Sequence, residues 1–393
     1  MYSKQESLLG MLKPMMMFTG TWRLDGMNST VRWFYWLYSL IFHGFGVLFI
    51  ISVVAKFVEF VKSGADSEDI ISSQVFLLSG TCIFSKFLIY QICNVSDILK
   101  AILQEEEKIW LSKDSESISA YQADIKHVRK WNWGILLSTM FTGVALMSAG
   151  VASLIQADIS SINSEGNEKE EWSMIPMWLP YNEREHRSTV VVLKCIFTFI
   201  YVCMFIVSGM TFVALMIYSL GLLKMEQVKI GKCNWTSYNM ADLSVDMKTL
   251  LINNRRVFRF IKHLDRSIRY VVLVDVLLNS ISIAALATNI TNVQRGDFVF
   301  CTGFLLMQVT QVFVLGWFAN DIIMLSRTRA DVLYNLNWYY LDLKNRKLFG
   351  MMLMQCQQLS VISIGPFGPM TIGSVISVIK AAYSYMMLMQ SYK

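Results

Sequence analysis

Apolar stretches long enough to cross a lipid bilayer constrain the fold of this chain more than any other feature. A membrane-spanning helix needs about 20 mostly apolar residues. Six stretches meet that requirement: residues 33–55, 70–93, 132–156, 190–223, 270–290 and 298–320. With 54% hydrophobic and 16% charged residues, the chain lies far below the roughly 25% charge of soluble globular proteins. We therefore predict an all-α, polytopic membrane protein.

A seventh apolar stretch, residues 348–392, contains one charge and is too long for a single crossing at about 1.5 Å per residue. It is interrupted by the sequence Gly365-Pro366-Phe367-Gly368-Pro369, whose prolines cannot continue a helix. We predict a non-spanning helix over residues 348–364 and a seventh span over 371–392. The last helix is thus expected to be split into a cytoplasmic helix and a span.

The loop charges predict the orientation of the chain. Lys and Arg number 25 in the loops on the side of the N-terminus and 7 on the other side, and the corresponding net charges are +10 and −5. Because cytoplasmic loops are enriched in Lys and Arg, the N-terminus is predicted to be cytoplasmic and the C-terminus extracellular. The overall charge of +6 then belongs at the inner leaflet, and no nucleic-acid partner is expected.

Motifs for catalysis or for metal binding are absent from the sequence. It contains no HExxH, GxSxG, GxxxxGK[ST] or CxxC, and its four His are scattered. We predict no enzyme activity, no metal and no cofactor. Among the charges within spans, Lys86 and Lys194 are interpreted as snorkelling to the interface, and Asp275 as pairing with a neighbouring helix. The lack of a midplane carboxylate relay disfavours a proton-coupled transporter.

The outer halves of the spans are rich in aromatic residues, Met and Gly. Small-ligand sites are concave and largely apolar, with few polar anchors, and Met adapts its shape to different ligands. The candidate ligand-binding residues are Phe76, Gly80, Phe84, Met140, Gly143, Met147, Ser148, Phe197, Tyr201, Phe304, Met307 and Gln308. Ordinary helix packing, with Gly at close crossings, is the alternative interpretation.

The segments on the predicted inner side look structured. Residues 94–131 and 240–268 place apolar side chains at helical spacing beside charged ones, which predicts amphipathic extensions of the spans. Together with the helix over 348–364, they would form an intracellular assembly surface, or simply a solvated basic face near anionic lipid. We divide the chain into a cytoplasmic segment (1–32), a six-helix bundle (33–325), an intracellular anchor region (326–369) and a final span (370–393).

The final span carries a candidate pore. Ser384, Met387 and Ser391 recur at helical spacing, and Gln390 neighbours this face. In an oligomer, a ring of Met side chains closes a pore by dewetting, and rings of Gln or Ser support hydrated cations. Contact of Met387 with lipid is an equal alternative.

Three segments resemble the insect odorant receptor family. Near the start, the resemblance rests on Pro14, Gly20, Thr21 and Trp22. In the C-terminal third it rests on Asp331-Val332-Leu333-Tyr334 and on Trp338-Tyr339-Tyr340-Leu341-Asp342-Leu343-Lys344-Asn345-Arg346-Lys347. The ending adds Leu359, Phe367 and Ile379-Lys380-Ala381-Ala382-Tyr383-Ser384-Tyr385. The resemblance in the C-terminal third covers about 70 residues.

The resemblance implies a ligand-gated, non-selective cation channel of four subunits in the plasma membrane of olfactory sensory neurons. In that family a tuning subunit binds a volatile apolar ligand and assembles with a shared odorant co-receptor as a heterotetramer. Tyr383-Ser384 stands where the co-receptor carries Thr-Tyr, which favours a tuning subunit. At matching positions the gate falls at Met387, with Gln390 and Ser391 lining the outer pore. The co-receptor carries smaller or branched aliphatics at Met387 and Ser391, so this chain's share of the gate is expected to be looser and more polar.

Three alternatives stay open from the sequence. A gustatory-type chemoreceptor channel is the nearest, and screening ligands with and without an odorant co-receptor separates the two. A seven-span G-protein-coupled receptor would require an external N-terminus, and the sequence lacks its Asp/Glu-Arg-Tyr and Asn-Pro-x-x-Tyr motifs. A transporter or membrane-embedded scaffold would show no ligand-evoked current.

Overall fold

A computed structural model of the protein describes residues 7–24, 28–64, 67–111, 115–163, 175–180, 187–232, 240–290 and 295–391. Within these ranges the chain is almost entirely helical. The α-helices are α1 (Leu12–Phe18), α2 (Ser29–Ser63), α3 (Ser67–Ile92), α4 (Val95–Leu111), α5 (Ser115–Asn163), α6 (Arg187–Gly231), α7 (Met240–Ile290), α8 (Arg295–Tyr334), α9 (Leu343–Cys356) and α10 (Ile372–Ser391). A 3₁₀ turn over Trp338–Tyr340 precedes α9.

The long helices follow the order of the seven predicted spans. Five of them, α2, α3, α6, α7 and α8, are long and apolar enough to cross a membrane. The helix α5 has 49 residues, or about 74 Å of length, and α10 contributes a shorter apolar segment, Ile372–Leu388. Large apolar side chains are exposed along α2, among them Trp33, Phe34 and Ile51, each more than half exposed. A surface of this kind is stable against lipid rather than water.

The amphipathic extensions predicted from the sequence are confirmed as helix. The helix α7 begins at Met240, about 30 residues before the apolar stretch that starts at residue 270. Likewise, α5 begins at Ser115 and α6 runs on to Gly231. In α4, Ile98, Leu99 and Ile102 recur at helical spacing and are buried. The spans therefore continue as helices at one end of the bundle, which we call the inner end because the loop charges predict it to be cytoplasmic.

The split of the last apolar stretch is confirmed, but the predicted bounds of its first helix are wrong. The first helix, α9, ends at Cys356, and residues 357–364 are not helical. Partners outside the segment replace the helical hydrogen bonds, because the N–H of Ser360 donates to the Ser326 hydroxyl (2.8 Å) and that of Ser363 to the Asp265 carboxylate (2.7 Å). Because these partners are distant in the chain, the local sequence pattern does not show that the helix ends at Cys356.

The connection between α9 and α10 is a short hairpin. The N–H of Met370 donates to the carbonyl of Ile362 at 2.7 Å, and that of Ile364 to the carbonyl of Gly368 at 2.8 Å. Gly365 has φ +51°, and a Cβ there would lie 2.8 Å from Cδ2 of Leu273 on α7. Only glycine tolerates both this backbone conformation and this close approach.

Among the described residues, the fold is stabilised by a main core, by a second core at the inner end and by two smaller apolar clusters. The main core is centred on α6, where Met210, Ala214 and Met216 are fully buried, and it includes Leu9 and Leu12 from the N-terminal segment. A second core at the inner end joins α6, α7, α8 and α9 through Ile230, Met247, Leu333, Leu341, Phe349, Met352 and Cys356. This second core lies where the sequence predicts the anchor region; the four-part division of the chain stays a prediction.

Candidate functional site

A small apolar cavity lies between α2, α3 and α6, with a volume of about 20 Å³. That is room for about one water molecule, well below the roughly 300–1,000 Å³ of sites for drug-sized ligands. The lining is almost wholly apolar and consists of Phe45, Gly46, Phe49, Ile50, Gly80, Ile83, Phe84, Phe197, Ile200, Tyr201 and Met204. Four of the predicted ligand-binding residues are in this set: Gly80, Phe84, Phe197 and Tyr201.

The glycines on α2 and α3 let aromatic rings approach the centre of this cavity. A Cβ on Gly80 would lie 3.1 Å from the Phe49 ring, and one on Gly46 would lie 3.5 Å from the Phe84 ring. The Phe49 ring centroid is 5.5 Å from that of Tyr201 and 6.4 Å from that of Phe197. Residue Phe49 and its neighbours on α2 were missed from the sequence because α2 is apolar on every side and shows no inward face.

A second aromatic group joins α3 to α8. The rings of Phe76, Phe300 and Phe304 are nearly parallel, with centroids 5.7–6.3 Å apart. Phe76 also packs in the same apolar cluster as Phe49 and Phe197. The structure thus connects the predicted residues Phe76 and Phe304 to the cavity through continuous aromatic packing. Met307 packs beside Phe304.

The predicted residues on α5 lie apart from the cavity. Gly143 is at a close crossing with α6, where a Cβ would meet the Val202 side chain at 3.0 Å. Met140 packs against the main core, and Met147 is half-buried. The structure places Ser148 on the exposed surface, where its hydroxyl donates to the carbonyl of Ala145 at 2.9 Å. Its predicted role as a polar anchor for a ligand stays a prediction.

Polar groups without partners are buried near the second aromatic group. Gln308 is 1% exposed, and neither its Oε1 nor its Nε2 has a hydrogen-bond partner among the described residues. Among the described residues, the hydroxyl groups of Ser73 on α3 and Ser282 on α7 are also buried without a hydrogen-bond partner. Each such group costs about 1–3 kcal/mol.

An extended segment over residues 175–180 covers the outer side of the aromatic cluster. Ile175 and Met177 are buried in the cluster with Phe49 and Phe197. The N–H of Trp178 donates to the carbonyl of Ser52 at 3.0 Å. The sequence analysis missed this segment because it lies in a loop rich in acidic residues. Its signal is the apolar run Ile175-Pro176-Met177-Trp178-Leu179-Pro180.

A buried ion pair links α3 to α7. Lys86 Nζ lies 2.6 Å from Asp275 Oδ1, and both side chains are at most 6% exposed. The same carboxylate oxygen accepts from Asn279 (2.6 Å), Gln311 (3.4 Å) and the Cys82 thiol (3.5 Å). The predicted pairing of Asp275 with a neighbouring helix is confirmed. The snorkelling interpretation of Lys86 is wrong because an internal carboxylate compensates its charge, and Lys194 is likewise buried, at 3% exposed.

Another buried network ties four helices together at the inner end. Arg329 on α8 is fully buried and donates to Glu226 on α6 at 3.0 Å and to Asn254 on α7 at 3.2 Å. Its second terminal nitrogen donates to the Ser326 hydroxyl at 3.4 Å, and Asn254 donates to the Cys356 sulfur on α9 at 3.2 Å. The sequence shows these residues only as members of basic and polar loops, so nothing in it signals their convergence.

The candidate gate residues lie in the last two turns of α10. Ser384 and Met387 are on its exposed face, with Met387 48% exposed and the Ser384 hydroxyl donating to the carbonyl of Lys380 at 3.0 Å. Gln390 and Ser391 belong to the same helix, and their side chains lie outside the described part of the structure. In an isolated chain this face is available to a pore or to lipid.

No metal site emerges from the described part of the chain, where no group of three or more His, Cys, Asp or Glu is placed to hold an ion. The buried carboxylates of Asp275 and Glu226 are instead paired with Lys86 and Arg329. The described site is a small apolar cavity, with buried ion pairs elsewhere in the bundle.

Comparison with known proteins assigns the chain to a family. Residues 67–383 match the model of the 7tm odorant receptor family. Odorant receptor 10 of Aedes albopictus is 23% identical over 204 residues, and Odorant receptor Or2 of Anopheles gambiae is 23% identical over 210 residues. Each alignment takes in 51% of this chain, and the chain spans about half the length of each of these relatives (54% and 55%).

Solved structures share the fold. The insect olfactory receptor OR5 from Machilis hrabei in complex with eugenol superposes with a TM-score of 0.79 at 10% identity, covering 97% of both chains. A second structure of the same receptor gives 0.74 at 13% identity, again over 97% of both chains. The family match, the helical architecture and these superpositions agree: the chain is a multi-pass membrane protein that belongs to the 7tm odorant receptor family.

Proposed function

We propose that this chain is the odorant-binding subunit of a ligand-gated, non-selective cation channel, and that it assembles with a co-receptor as a heterotetramer. The observation that carries the proposal is the continuous aromatic packing that joins the apolar cavity to α8, together with the contact of α8 with α10. The ligand is a volatile apolar molecule. The relative whose structure was solved with eugenol supports this class, since eugenol is a small aromatic molecule.

Ligand entry requires the lining to move. The cavity of about 20 Å³ is smaller than any odorant, so the side chains around it must rearrange. Met204 and Phe84 line the cavity and pack against Gly46, and Met has three rotatable bonds with which to reshape. Binding favours opening only to the extent that the ligand binds the open state more tightly than the closed one.

The helix α8 connects the cavity region to the candidate gate. Phe304 lies in the aromatic group, and Gly316, three turns further along the same helix, packs against α10. At Gly316 a Cβ would lie 2.2 Å from Cγ2 of the buried Val375 and 3.4 Å from the carbonyl of Thr371. A shift of α8 at Phe304 would therefore be transmitted to α10 through direct contact at Gly316.

The function is tested by recording ligand-evoked current from cells that express this chain with an odorant co-receptor. Phe304→Ala is expected to raise the half-maximal ligand concentration by about tenfold or more, because burying an aromatic side chain contributes about 1.5–3 kcal/mol, with ion preference unchanged. Substitution of Met387, Gln390 and Ser391 should change rectification or ion preference instead. Phe199→Ala, at an exposed position on α6, serves as the control.

Three results would contradict this function. The first is the absence of any ligand-evoked current with a co-receptor present. The second is a current whose permeation properties do not respond to the α10 substitutions. The third is an equal effect of Phe304→Ala and of the Phe199→Ala control, which would mean that the aromatic group takes no specific part in ligand recognition.

The close contact between α8 and α10 at Gly316 is tested by a separate substitution. Gly316→Ala forces α10 away from α8, and overpacking of this kind costs about 1–3 kcal/mol. If α10 moves toward α8 on opening, evoked current should fall by about fivefold or more. Adding Val375→Ala removes the clashing methyl groups and should restore it. Gly303→Ala on the same helix is the control, since its Cβ would have 4.0 Å of clearance from the Phe141 ring.

A further inference from the structure

A second and larger cavity opens at the inner end of the bundle between α5, α6 and α8. Its volume is about 360 Å³, which falls within the range of small-molecule sites. Its walls combine charged side chains with Trp and aliphatic residues, unlike the almost wholly apolar lining of the outer cavity. We call it the inner pocket, and it takes no part in the function proposed above.

The charges in the inner pocket favour a cationic group. Asp124 and Asp321 line it together with a single lysine, Lys224. Burial raises the pKa of Asp124 to about 6 and also raises the pKa of Asp321, and Lys224 opposes the shift at both carboxyl groups. Burial, Lys224 and Lys130 lower the pKa of His127, which keeps its ring neutral, in agreement with Nε2 accepting from Trp131 Nε1 at 3.0 Å.

A close helix crossing holds Asp124 at the wall of the pocket. A Cβ on Gly221 of α6 would lie 2.2 Å from Oδ2 of Asp124, so glycine at this position leaves the space that the carboxylate fills. The aromatic wall lies beside it, with the Trp131 ring centroid 5.5 Å from that of Phe318. Indole rings beside carboxylates attract ammonium groups through cation–π and Coulomb interactions.

The depth of the pocket indicates where its ligand comes from. Trp131 directly precedes the span predicted over 132–156, Lys224 directly follows 190–223, and Asp321 directly follows 298–320. The three residues therefore lie at one boundary of the bilayer, the level at which lipid headgroups and Trp side chains concentrate. Trp317 and Met324 line the pocket and are about half exposed, so its mouth faces the surroundings of the bundle.

We propose that the inner pocket binds the headgroup of a zwitterionic phospholipid, with the ammonium group facing the two carboxylates and the phosphate facing Lys224. The aliphatic wall of Ile217, Leu220 and Leu325 then meets the glycerol and the start of the acyl chains. Phosphatidylglycerol lacks the ammonium group and places its net negative charge against two carboxylates. Binding at this position bridges α5, α6 and α8.

The proposal is tested on the full chain, purified as the assembly it forms in cells and reconstituted into nanodiscs. Phosphatidylcholine with a photoreactive group near its headgroup is compared with phosphatidylglycerol labelled at the same position, and labelled peptides are mapped by mass spectrometry. Phosphatidylcholine is expected to label peptides that contain residues 217–224 and 317–328 about tenfold more than phosphatidylglycerol. The Asp124→Asn/Asp321→Asn variant should lose that preference, whereas Asp331→Asn, an exposed carboxylate on the same helix, should keep it.

If the double variant does not fold, Trp317→Leu removes an exposed wall of the pocket and is expected to reduce the labelling as well. Equal labelling by the two lipids, or an unchanged preference in the folded variants, would overturn the proposal. Labelling that persists in the presence of excess phosphatidylcholine without the photoreactive group would also overturn it, because the probe would then not occupy a specific site. Absence of labelling from these peptides in every lipid would show that protein or water fills the pocket.

Discussion

Asp275→Asn is expected to destabilise the folded chain by about 3–5 kcal/mol. The substitution keeps the size of the side chain but leaves Lys86 as an uncompensated charge, and removal of one member of a buried ion pair carries a cost of this order. Lys86 is 3% exposed and its Nζ lies 2.6 Å from the carboxylate, so neither water nor the membrane interface can replace the partner. The free energy of unfolding, measured by SDS titration in mixed micelles, should fall by that amount.

A double variant separates the charge from the shape of the site. Lys86→Met/Asp275→Asn removes both charges and keeps an amide beside Asn279 and Gln311, so it is expected to recover most of the stability lost in Asp275→Asn. Lys56→Met breaks an ion pair with Glu59 (3.2 Å) whose side chains are 21% and 50% exposed, and it should change stability by less than about 1 kcal/mol. Equal losses in the single and double variants would show that packing, rather than charge pairing, governs this position.

Arg329→Met is expected to have an effect of similar size at the inner end. It removes the donors to Glu226, Asn254 and Ser326 at once, and it leaves the Glu226 carboxylate buried without its cation. The cost is again about 3–5 kcal/mol. Because these bonds join α6, α7 and α8, and because Asn254 continues the network to α9, the helices at this end should separate more readily than the rest of the bundle.

Hydrogen–deuterium exchange measured along the chain distinguishes this local effect from general unfolding. In Arg329→Met, exchange should rise in α9 and in the adjoining part of α7, with little change around Met210 in the main core. Arg327→Met, at an exposed position on the same helix, is the matched control. The Arg329→Met/Glu226→Met variant removes both charges and should restore protection. A uniform rise in exchange across the chain would contradict an anchoring role for the network.

The parts of the fold that were predicted correctly are those in which local chemistry decides the outcome. The length of the apolar stretches predicted the long helices, and the two prolines with Gly365 and Gly368 predicted the break before α10. Amphipathic spacing gave the helical extension of α7. Each of these signals acts within a few residues of the chain and is therefore visible in one sequence.

The parts that were missed depend on partners distant in the chain. Lys86 looks like a snorkelling lysine until Asp275, 189 residues later in the sequence, is placed beside it. The inward position of Phe49 could not be predicted, because every side of α2 is apolar and the sequence does not show which side faces the bundle. Residues 357–364 are not helical as predicted, because their N–H groups donate to side chains on α7 and α8. Among the predicted ligand-binding residues, Gly80, Phe84, Phe197 and Tyr201 line the apolar cavity and Phe76 packs in the adjoining cluster. Ser148 is exposed, because its rotation about α5 could not be fixed from the sequence. The ligand-binding role of all of them stays a prediction.

The segment over residues 175–180 forms one boundary of the aromatic cluster without being part of a helix. It reaches the aromatic cluster through Ile175 and Met177 and is attached to α2 by the hydrogen bond between Trp178 and Ser52. Burial restricts Ile175 and Met177, but the segment is not part of the close helix crossings that restrict Gly80 and Gly143. Substitutions within it alter the outer boundary of the cluster while the bundle keeps its structure. We propose that substitutions in these six residues change which molecules reach the cluster, without a change in how the long helices cross.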